Sequence, residues 1–201
     1  MVTDNDRQVK ILEKARDHFL AFGYRGAKLR TIAQEAGVTT GALYHHFSGK
    51  DQLFVEVCLR GFQIMRRRFE TAAKITEGLT PTERIAVFFD AYVSFFFENR
   101  GYYELIERLQ INRESLNISG ELMKKMEQAS RSAVEIMTRA LMEAESSLTD
   151  ARIDERVILF ISFAEGLFQC VRKGLLERSG VSFGNIRSFM LSKIEGLLDM
   201  E

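Results

Sequence analysis

A single proline, Pro81, occurs among the 201 residues of this chain, and this scarcity constrains the fold more than any other feature. Val, Ile and Thr also show no sustained alternation with polar residues, which a half-buried strand would require. Apolar residues instead recur at spacings of three and four, as they do on one face of an α-helix. The sequence therefore predicts an all-α protein of about nine helices.

Three short helices are predicted in the first 50 residues. The first ends at Gly23, because glycine readily adopts the left-handed conformation that often terminates a helix. The second ends at Gly37, and Thr39 is a suitable N-cap for a third helix over residues 40–46. These helices predict an N-terminal domain over residues 1–50. The apolar stripes of the first two helices are Ile11, Leu12, Ala15, Phe19 and Phe22, and Leu29, Ile32, Ala33 and Ala36.

Longer helices are predicted in residues 51–201, which form a second, larger helical domain. Ser48 is expected to cap a fourth helix that runs from Gly49 to about Ile75. Residues 80–83, Thr-Pro-Thr-Glu, predict another helix start, because Thr caps, Pro suits the first turn and Glu completes a capping box. The last helix is expected to begin at Ser182.

The second and third helices, joined by the segment Ala-Gly-Val-Thr, have the proportions of a helix-turn-helix. In that motif the second helix enters the major groove of DNA with its N-terminal residues first. Thr39 and Thr40 lie at this end and can donate hydrogen bonds to phosphates. Gly41 and Ala42 are small, so the backbone can approach the base edges.

The rest of the third helix predicts one inward and one outward face. Leu43 is expected to point inward and to complete an apolar set with Phe47. Tyr44 and His45 are expected to point outward, where their side chains can reach the DNA backbone or a base. Lys50 follows in the first turn of the next helix, where a cation opposes the helix dipole. A nearby phosphate would offset that cost.

These residues resemble the N-terminal domain of the TetR family of transcriptional repressors. The resemblance covers roughly residues 7–55, about a quarter of the chain, and consists of "IL..A...F...GY", "IA..AGV" and "G.LYHHF..K..L" in this order and spacing. It implies a helical homodimer that binds a palindromic double-stranded DNA operator. It also implies that a small molecule entering the C-terminal domain releases the repressor from DNA.

The family pattern also implies roles for individual positions. It implies phosphate contacts for Tyr44 and Lys50, a place near the DNA for His45, and a base-reading role for residues 39–42. The family often has Thr or Ser at the start of the second helix, whereas this chain has Ala27 and Lys28. Lys28 is expected to replace the phosphate contact as a point charge but not the cap, whose loss costs about 1 kcal/mol.

Two features of this segment have alternative explanations. Tyr44 is also explained as a core tyrosine with its hydroxyl at the surface. His45 and His46 resemble metal ligands, but adjacent helical residues point about 100° apart and a zinc site needs a further ligand about one turn away. Positions 49 and 50 are Gly and Lys, so we expect no metal site and no cofactor. His46 is expected to pack against the first helix.

Residues 81–112 contain more aromatic side chains than one apolar stripe needs, so some are expected to line a cavity. For each ring taken alone, packing in the buried core is the alternative explanation. Between positions 88 and 98 the charged residues are Asp90 and Glu98, and this scarcity favours a lipophilic or aromatic effector. Methionines suit an adaptable wall. The residues predicted to line the effector site are Met65, Phe88, Tyr92, Phe95, Phe96, Tyr103 and Met126.

A homodimer is predicted from the last two helices. Small residues at Ser162, Gly166, Cys170 and Gly174 follow one another at steps of four, which leaves a groove for a second helix. The final helix is apolar over a broad arc, which favours a four-helix bundle formed by two copies. Gly166 is expected at a close helix crossing. The predicted interface residues are Ser162, Gly166, Cys170, Phe189 and Ile194.

Composition sets the remaining limits. Residues 1–50 contain eight Lys or Arg against five Asp or Glu, a net charge of +3, and the whole chain is neutral, so residues 51–201 carry −3. Cys58 and Cys170 are expected to be free thiols in a reducing compartment. The sequence lacks an N-terminal signal core and an apolar run of about 18 residues, so we expect a cytoplasmic protein without a membrane partner.

The sequence therefore predicts a ligand-responsive DNA-binding repressor. An enzyme is not expected, because no catalytic triad, metal-spaced cluster or Gly-rich phosphate loop is present and all three histidines lie in the first domain. A second alternative is a ligand-sequestering helical protein whose helix-turn-helix is vestigial.

Overall fold

The computed structural model describes residues 4–112, 116, 118–144, 150–180 and 188. Across these residues the chain forms nine helices and no strand, which confirms the predicted all-α class. The predicted helix from Ser182, with Phe189 and Ile194, lies outside the described residues. The helices are α1 (Asp4–Gly26), α2 (Leu29–Glu35), α3 (Thr40–His46), α4 (Lys50–Ile75), α5 (Pro81–Glu98), α6 (Arg100–Ile111), α7 (Gly120–Ala144), α8 (Asp150–Arg172) and α9 (Leu175–Arg178).

The start of α5 predicted from its capping residues is found where the sequence placed it. At the start of α5, the Thr80 N–H donates to Glu83 Oε2 at 2.8 Å and the Glu83 N–H donates to Thr80 Oγ1 at 3.3 Å. These two bonds form the predicted capping box. The hydrogen bonds from Thr80 lower the pKa of the Glu83 carboxyl.

The chain divides into two compact units, which are Met1–Ile64 with Asn99–Ser130, and Met65–Glu98 with Arg131–Glu201. The first half of α4, the whole of α6 and the start of α7 thus belong to the unit that contains the helix-turn-helix. The functional boundary predicted at residue 50 stays a prediction, because packing and function need not divide at the same residue.

The first unit is built on the apolar stripe of α1. Ile11, Ala15 and Phe19 are fully buried, as the spacing predicted. Phe22, the last residue of that predicted stripe, is instead 61% exposed. A helical side chain covers the turn before its own Cα, and the Phe22 ring accordingly lies over His18, with ring centroids 5.3 Å apart. The prediction that Phe22 belongs to the core is therefore wrong.

Within the same unit, α6 packs closely against α1 and α4 at two glycines. A Cβ at Gly101 would lie 2.8 Å from Leu20 Cδ1, and a Cβ at Gly61 would lie 2.9 Å from Ile106 Cδ1. Arg108 Nη1 also donates to the Leu20 carbonyl at 3.3 Å. The backbone of α6 thus lies close to a side chain of α1, and the backbone of α4 lies close to side chains of α6.

The second unit has an aromatic core between α5 and α8. Phe89 packs against Phe160 with centroids 5.5 Å apart, and Phe96 is stacked on Phe168 at 3.9 Å. The Tyr92 hydroxyl donates to Glu165 Oε1 at 2.5 Å in a part-buried position. The bulky rings of this unit therefore pack mainly on one another, with one polar pair among them.

Both cysteines are free thiols, as predicted. Cys58 is completely buried in α4, and burial raises the pKa of its thiol. Cys170 is half-buried on α8. A buried protonated thiol is unreactive, so Cys58 acts as a core residue.

Candidate nucleic-acid interface

The turn between α2 and α3 is fixed by backbone hydrogen bonds. Gly37 has a φ of +69°, a conformation that favours glycine. Its N–H donates to the Gln34 carbonyl at 3.1 Å, and the Val38 N–H donates to the Ala33 carbonyl at 3.0 Å. These two bonds satisfy carbonyls in the last turn of α2. Four residues, 36–39, separate α2 from α3.

The N-terminus of α3 is capped as predicted. Thr39 has extended backbone dihedrals, and its Oγ1 accepts a hydrogen bond from the Ala42 N–H at 3.1 Å. The Thr39 hydroxyl proton is not used by this bond and can still be donated to a phosphate. Thr40, Gly41 and Ala42 form the first turn, and Gly41 is exposed while Thr40 and Ala42 are half-buried.

The inward and outward faces of α3 are those the sequence predicted. Leu43 is 0% exposed and Phe47 is 1% exposed, so both belong to the core. Tyr44 is 52% exposed, and His45 is also exposed. The explanation of Tyr44 as a core tyrosine is therefore not supported by its burial. The exposed face of α3 presents an aromatic hydroxyl and an imidazole beside a small-residue N-terminal turn.

His46 faces the protein and not the solvent. Its side chain is 9% exposed, and Nε2 lies 3.4 Å from Asp4 Oδ1 on α1, which agrees with its predicted packing against the first helix. His18 on α1 makes a second such pair, with Nε2 3.0 Å from Glu35 Oε2 on α2. Over the described ranges, no group of three or more His, Cys, Asp or Glu residues is arranged to hold a metal ion.

Lys28 occupies the N-cap position of α2, with extended backbone and no capping hydrogen bond from its side chain. It is exposed, whereas the preceding Ala27 is only 2% exposed. The predicted absence of a side-chain cap at this helix is confirmed. The Lys28 ammonium is accessible at the first turn of α2, where a phosphate could also reach the helix N–H groups.

Lys50, for which the family pattern implies a phosphate contact, is bonded to backbone carbonyls of the protein itself. Its Nζ donates to the Arg25 carbonyl at 3.1 Å and to the Ala27 carbonyl at 3.0 Å. It also lies 5.1 Å from the centroid of the Tyr24 ring. The unfavourable interaction of this cation with the dipole of α4 is therefore offset by two backbone carbonyls, of Arg25 in the last turn of α1 and of Ala27 directly after it.

Sequence reasoning did not identify Tyr24 and Asp51 as parts of this arrangement. The Tyr24 hydroxyl donates a hydrogen bond to Asp51 Oδ1. Partial burial, this hydrogen bond and the charge of Asp51 raise the pKa of Tyr24 to about 12. The signal was present, since Tyr24 ends the first matched motif and Asp51 follows the lysine of the third.

Ser48 does not cap α4 as predicted. Its N–H and its hydroxyl both donate to Gln52 Oε1, at 2.7 and 2.8 Å. The first backbone bond of α4 is from the Leu53 N–H to the Gly49 carbonyl, so the helix begins one residue later than a Ser48 cap requires. The side chain of Gln52 folds back over the helix start and takes over part of the capping role.

The predicted effector residues are divided between the two compact units. Tyr103 and Met126 belong to the first unit, and the other five belong to the second. Phe88, Phe95 and Phe96 are at most 1% exposed, whereas Tyr92 is half-buried beside Glu165. Three members of the set, Phe88, Tyr92 and Phe96, contact one connected group of rings with Phe69, Phe160 and Phe168.

The predicted dimer face of α8 is exposed where the structure describes it. Ser162 and Gly166 are exposed and Cys170 is half-buried, and a Cβ added at Gly166 would meet nothing within 4 Å. Ile158 and Leu159 are 63% and 51% exposed. Sequence reasoning missed these two residues, because it assigned the small-residue row and the buried stripe but not the surface between them.

None of the helices in the described residues combines the length and the hydropathy needed to cross a lipid bilayer.

Residues 11–57 match the model of a family described as bacterial regulatory proteins, tetR family. The chain is 40% identical over 89 residues to the HTH-type transcriptional repressor AcnR of Corynebacterium jeikeium, a match that covers 43% of this chain and 44% of AcnR. The chain thus spans less than half the length of the curated relatives it matches.

Solved structures extend the similarity of the fold over nearly the whole chain. A tetR-family regulatory protein from Rhodococcus RHA1 aligns with a TM-score of 0.71 over 96% of each chain, at 20% identity. FadR of Bacillus subtilis, solved in complex with stearoyl-CoA, aligns with a TM-score of 0.67 over 92% of this chain and 96% of FadR, at 16% identity. At these identities the structures establish the fold.

Proposed function

Residues 11–57 of this chain form an N-terminal domain of the TetR family, and from this premise we propose that the protein is a dimeric, ligand-responsive transcriptional repressor. It binds a palindromic DNA operator through two helix-turn-helix motifs and leaves it when a lipophilic small molecule binds. The observation that supports this most directly is the exposed face of α3, which bears Tyr44 and His45 while Leu43 and Phe47 anchor the helix in the core.

The DNA contacts follow from the chemistry of each exposed group. Thr39, Thr40 and the first N–H groups of α3 donate to phosphate oxygens, because a helix N-terminus favours an anion. Gly41 and Ala42 allow the backbone to approach base edges in the major groove. Tyr44 donates its hydroxyl to a phosphate, and His45 reaches the backbone or a base. Lys28 adds a point charge at the start of α2.

The dimer places two copies of α3 at a fixed separation, as an operator with two half-sites requires. Its proposed interface includes the exposed surface of α8, where Ile158 and Leu159 would otherwise leave large apolar side chains in water. Gly166 leaves room for close approach of a second helix. The remaining proposed interface residues are Ser162, Cys170, Phe189 and Ile194.

The effector is proposed to be lipophilic or aromatic. The core of the second unit consists of rings that pack on one another, such as Phe96 on Phe168, so a ligand would bind by separating them. Entry of a ligand would therefore move α5 relative to α8. The polar pair of Tyr92 and Glu165 would orient a ligand that is otherwise held by apolar contacts. The stearoyl-CoA bound to FadR, a protein of the same fold, is consistent with this chemistry.

The expected coupling is limited by thermodynamics. A ligand can shift the equilibrium between DNA-binding and released states only by its difference in affinity for the two. The proposed lining of the site is Met65, Phe88, Tyr92, Phe95 and Phe96, which belong to one compact unit, and the places predicted for Tyr103 and Met126 stay predictions.

A gel shift with the protein's own upstream DNA tests the function. The repressor is expected to retard this duplex, and an extract of lipophilic small molecules is expected to release it. A protein that binds the extract but never the duplex would be a sequestering protein and not a repressor. Thermal stabilisation by hydrophilic metabolites alone would contradict the proposed class of effector.

A further inference from the structure

Lys50 is held by groups of the protein itself at the place where the α1–α2 turn meets the start of α4. A lysine ammonium has three donors, and two of these bond to the carbonyls of Arg25 and Ala27. The side chain is half-buried, and its cation lies over the face of the Tyr24 ring. At most one donor of Lys50 is therefore left for any group outside the protein.

The second link in this region is the hydrogen bond from the Tyr24 hydroxyl to Asp51. Tyr24 follows the kink at Gly23, which has a φ of +68° and a ψ of 174°, so the backbone leaves the regular helical path here. Lys50 and Asp51 are the first two residues of α4. Two consecutive side chains of α4 thus hold the segment from Tyr24 to Ala27, one through backbone carbonyls and one through a phenol.

The electrostatics of the two helix ends favour this arrangement. The carbonyls at the C-terminal end of α1 carry partial negative charge, which a cation stabilises. A cation at the N-terminus of α4 is unfavourable in isolation, so the carbonyls of Arg25 and Ala27 offset a local cost. Lys50 is therefore stabilised without a phosphate.

We propose that Lys50 is a positioning residue for DNA binding, which together with Tyr24 and Asp51 clamps the α1–α2 turn to the first turn of α4. The clamp sets the position of Lys28 and of α2 with respect to α4, so that α2 and α3 meet DNA as one rigid surface. Its consequence for DNA binding rests on the proposed function, but the clamp itself does not.

A positioning lysine and a phosphate-contacting lysine differ in their dependence on salt. Each phosphate contact adds about 0.9 to the steepness of the decrease of log K with log salt, because bound counterions are released. A lysine that acts by holding a turn changes the affinity but not this slope. The slope therefore separates the two roles even when both substitutions weaken binding.

The test compares Lys50→Met, Tyr24→Phe and Lys28→Met with the wild-type protein on the upstream duplex at several salt concentrations. Lys50→Met and Tyr24→Phe are expected to weaken binding about tenfold at each salt concentration with the slope unchanged, the size expected for losing a hydrogen bond to a charged group. Lys28→Met is the matched control and is expected to reduce the slope by about 1.8, because the dimer loses one phosphate contact in each half-site.

Hydrogen exchange without DNA gives a second measurement that does not depend on the proposed function. Lys50→Met and Tyr24→Phe are expected to speed amide exchange in residues 24–30, while Lys28→Met leaves it unchanged. A failure of the wild-type protein to bind the duplex would contradict the proposed function but not the clamp. Unchanged exchange in Lys50→Met, or a slope reduced by about 1.8 in that variant, would overturn the inference.

Discussion

Leu43 and Tyr44 are adjacent in α3, yet Leu43 is 0% exposed and Tyr44 is 52% exposed. Consecutive helical residues point about 100° apart, so this contrast marks the edge between the buried face and the open face of the helix. Leu43 contributes to stability by filling the core, whereas the Tyr44 side chain is available for binding. Substitutions on the open face are therefore expected to change DNA binding without unfolding the domain.

Thr39→Ala is expected to lower the free energy of unfolding by about 1 kcal/mol, because the Ala42 N–H loses its side-chain acceptor. The midpoint of thermal unfolding should fall by about 2–4 °C for a chain of this size. DNA binding should weaken as well, since the hydroxyl is also the proposed phosphate donor. Thr39→Ser keeps an acceptor and a donor and serves as the control. A Thr39→Ala protein with wild-type stability would contradict the capping role.

Gly61→Ala is expected to destabilise the first unit although alanine favours a helix over glycine by about 1 kcal/mol. The new Cβ would lie 2.9 Å from Ile106 Cδ1 and 3.0 Å from Tyr102 Cβ, so α6 would have to move. Overpacking of this kind costs about 1–3 kcal/mol. Gly120→Ala is the matched control, because a Cβ there meets nothing within 4 Å. Thermal unfolding measures the stability of both variants. A Gly61→Ala protein more stable than the wild type would show that α4 and α6 do not pack this closely at Gly61.

Gly166→Leu is expected to shift the protein from dimer to monomer. A Cβ at this exposed position meets none of the described residues within 4 Å, so the substitution should not disturb the fold of one copy. A leucine would instead fill the groove that the second copy is proposed to enter. Light scattering measures the mass, and Gly120→Leu is the control for adding the same side chain at another open helical glycine. An intact Gly166→Leu dimer would place the interface elsewhere.

Stability at acid pH is expected to depend in part on Glu83. Its pKa lies below the ordinary value of 4.5, because the ionised carboxylate accepts hydrogen bonds from the N–H and hydroxyl of Thr80. When folding lowers the pKa of a carboxyl, the group contributes its full stability at any pH above its pKa in the unfolded state. This stability is lost as the pH falls through its pKa in the folded state. Glu83→Gln should flatten the pH dependence of unfolding below about pH 4.5. An unchanged profile in the variant would exclude this contribution.

The sequence predicted the parts of this fold that depend on short-range patterns. The caps at Thr39 and Thr80, the positive-φ glycines at positions 23 and 37, and the inward and outward faces of α3 all follow from spacings within one or two turns. The predicted end of the first helix at Gly23 is a kink instead, because α1 continues to Gly26. Such features are determined by neighbours along the chain, so one sequence contains enough information to assign them.

Features that depend on distant residues were not predicted. The contact of Lys50 with the carbonyls of Arg25 and Ala27 joins residues more than twenty positions apart, and nothing in the local pattern distinguishes it from a phosphate contact. The exposure of Phe22 depends on where neighbouring helices stop covering α1. The aromatic side chains of α5 could not be divided into core and cavity from spacing, because α5 is apolar on several faces.

Operator binding is proposed to depend most directly on the open face of α3, and a titration of fluorescently labelled upstream duplex with wild-type protein and Tyr44→Ala tests this dependence. Fluorescence anisotropy is expected to show saturable binding of the wild-type protein and at least about a tenfold loss of affinity in Tyr44→Ala, the size expected for a lost hydrogen bond to a phosphate. The thermal unfolding midpoint of the variant is expected to match the wild type, since the side chain is 52% exposed. Equal affinity of the two proteins for the duplex, or no binding by either, would contradict the account.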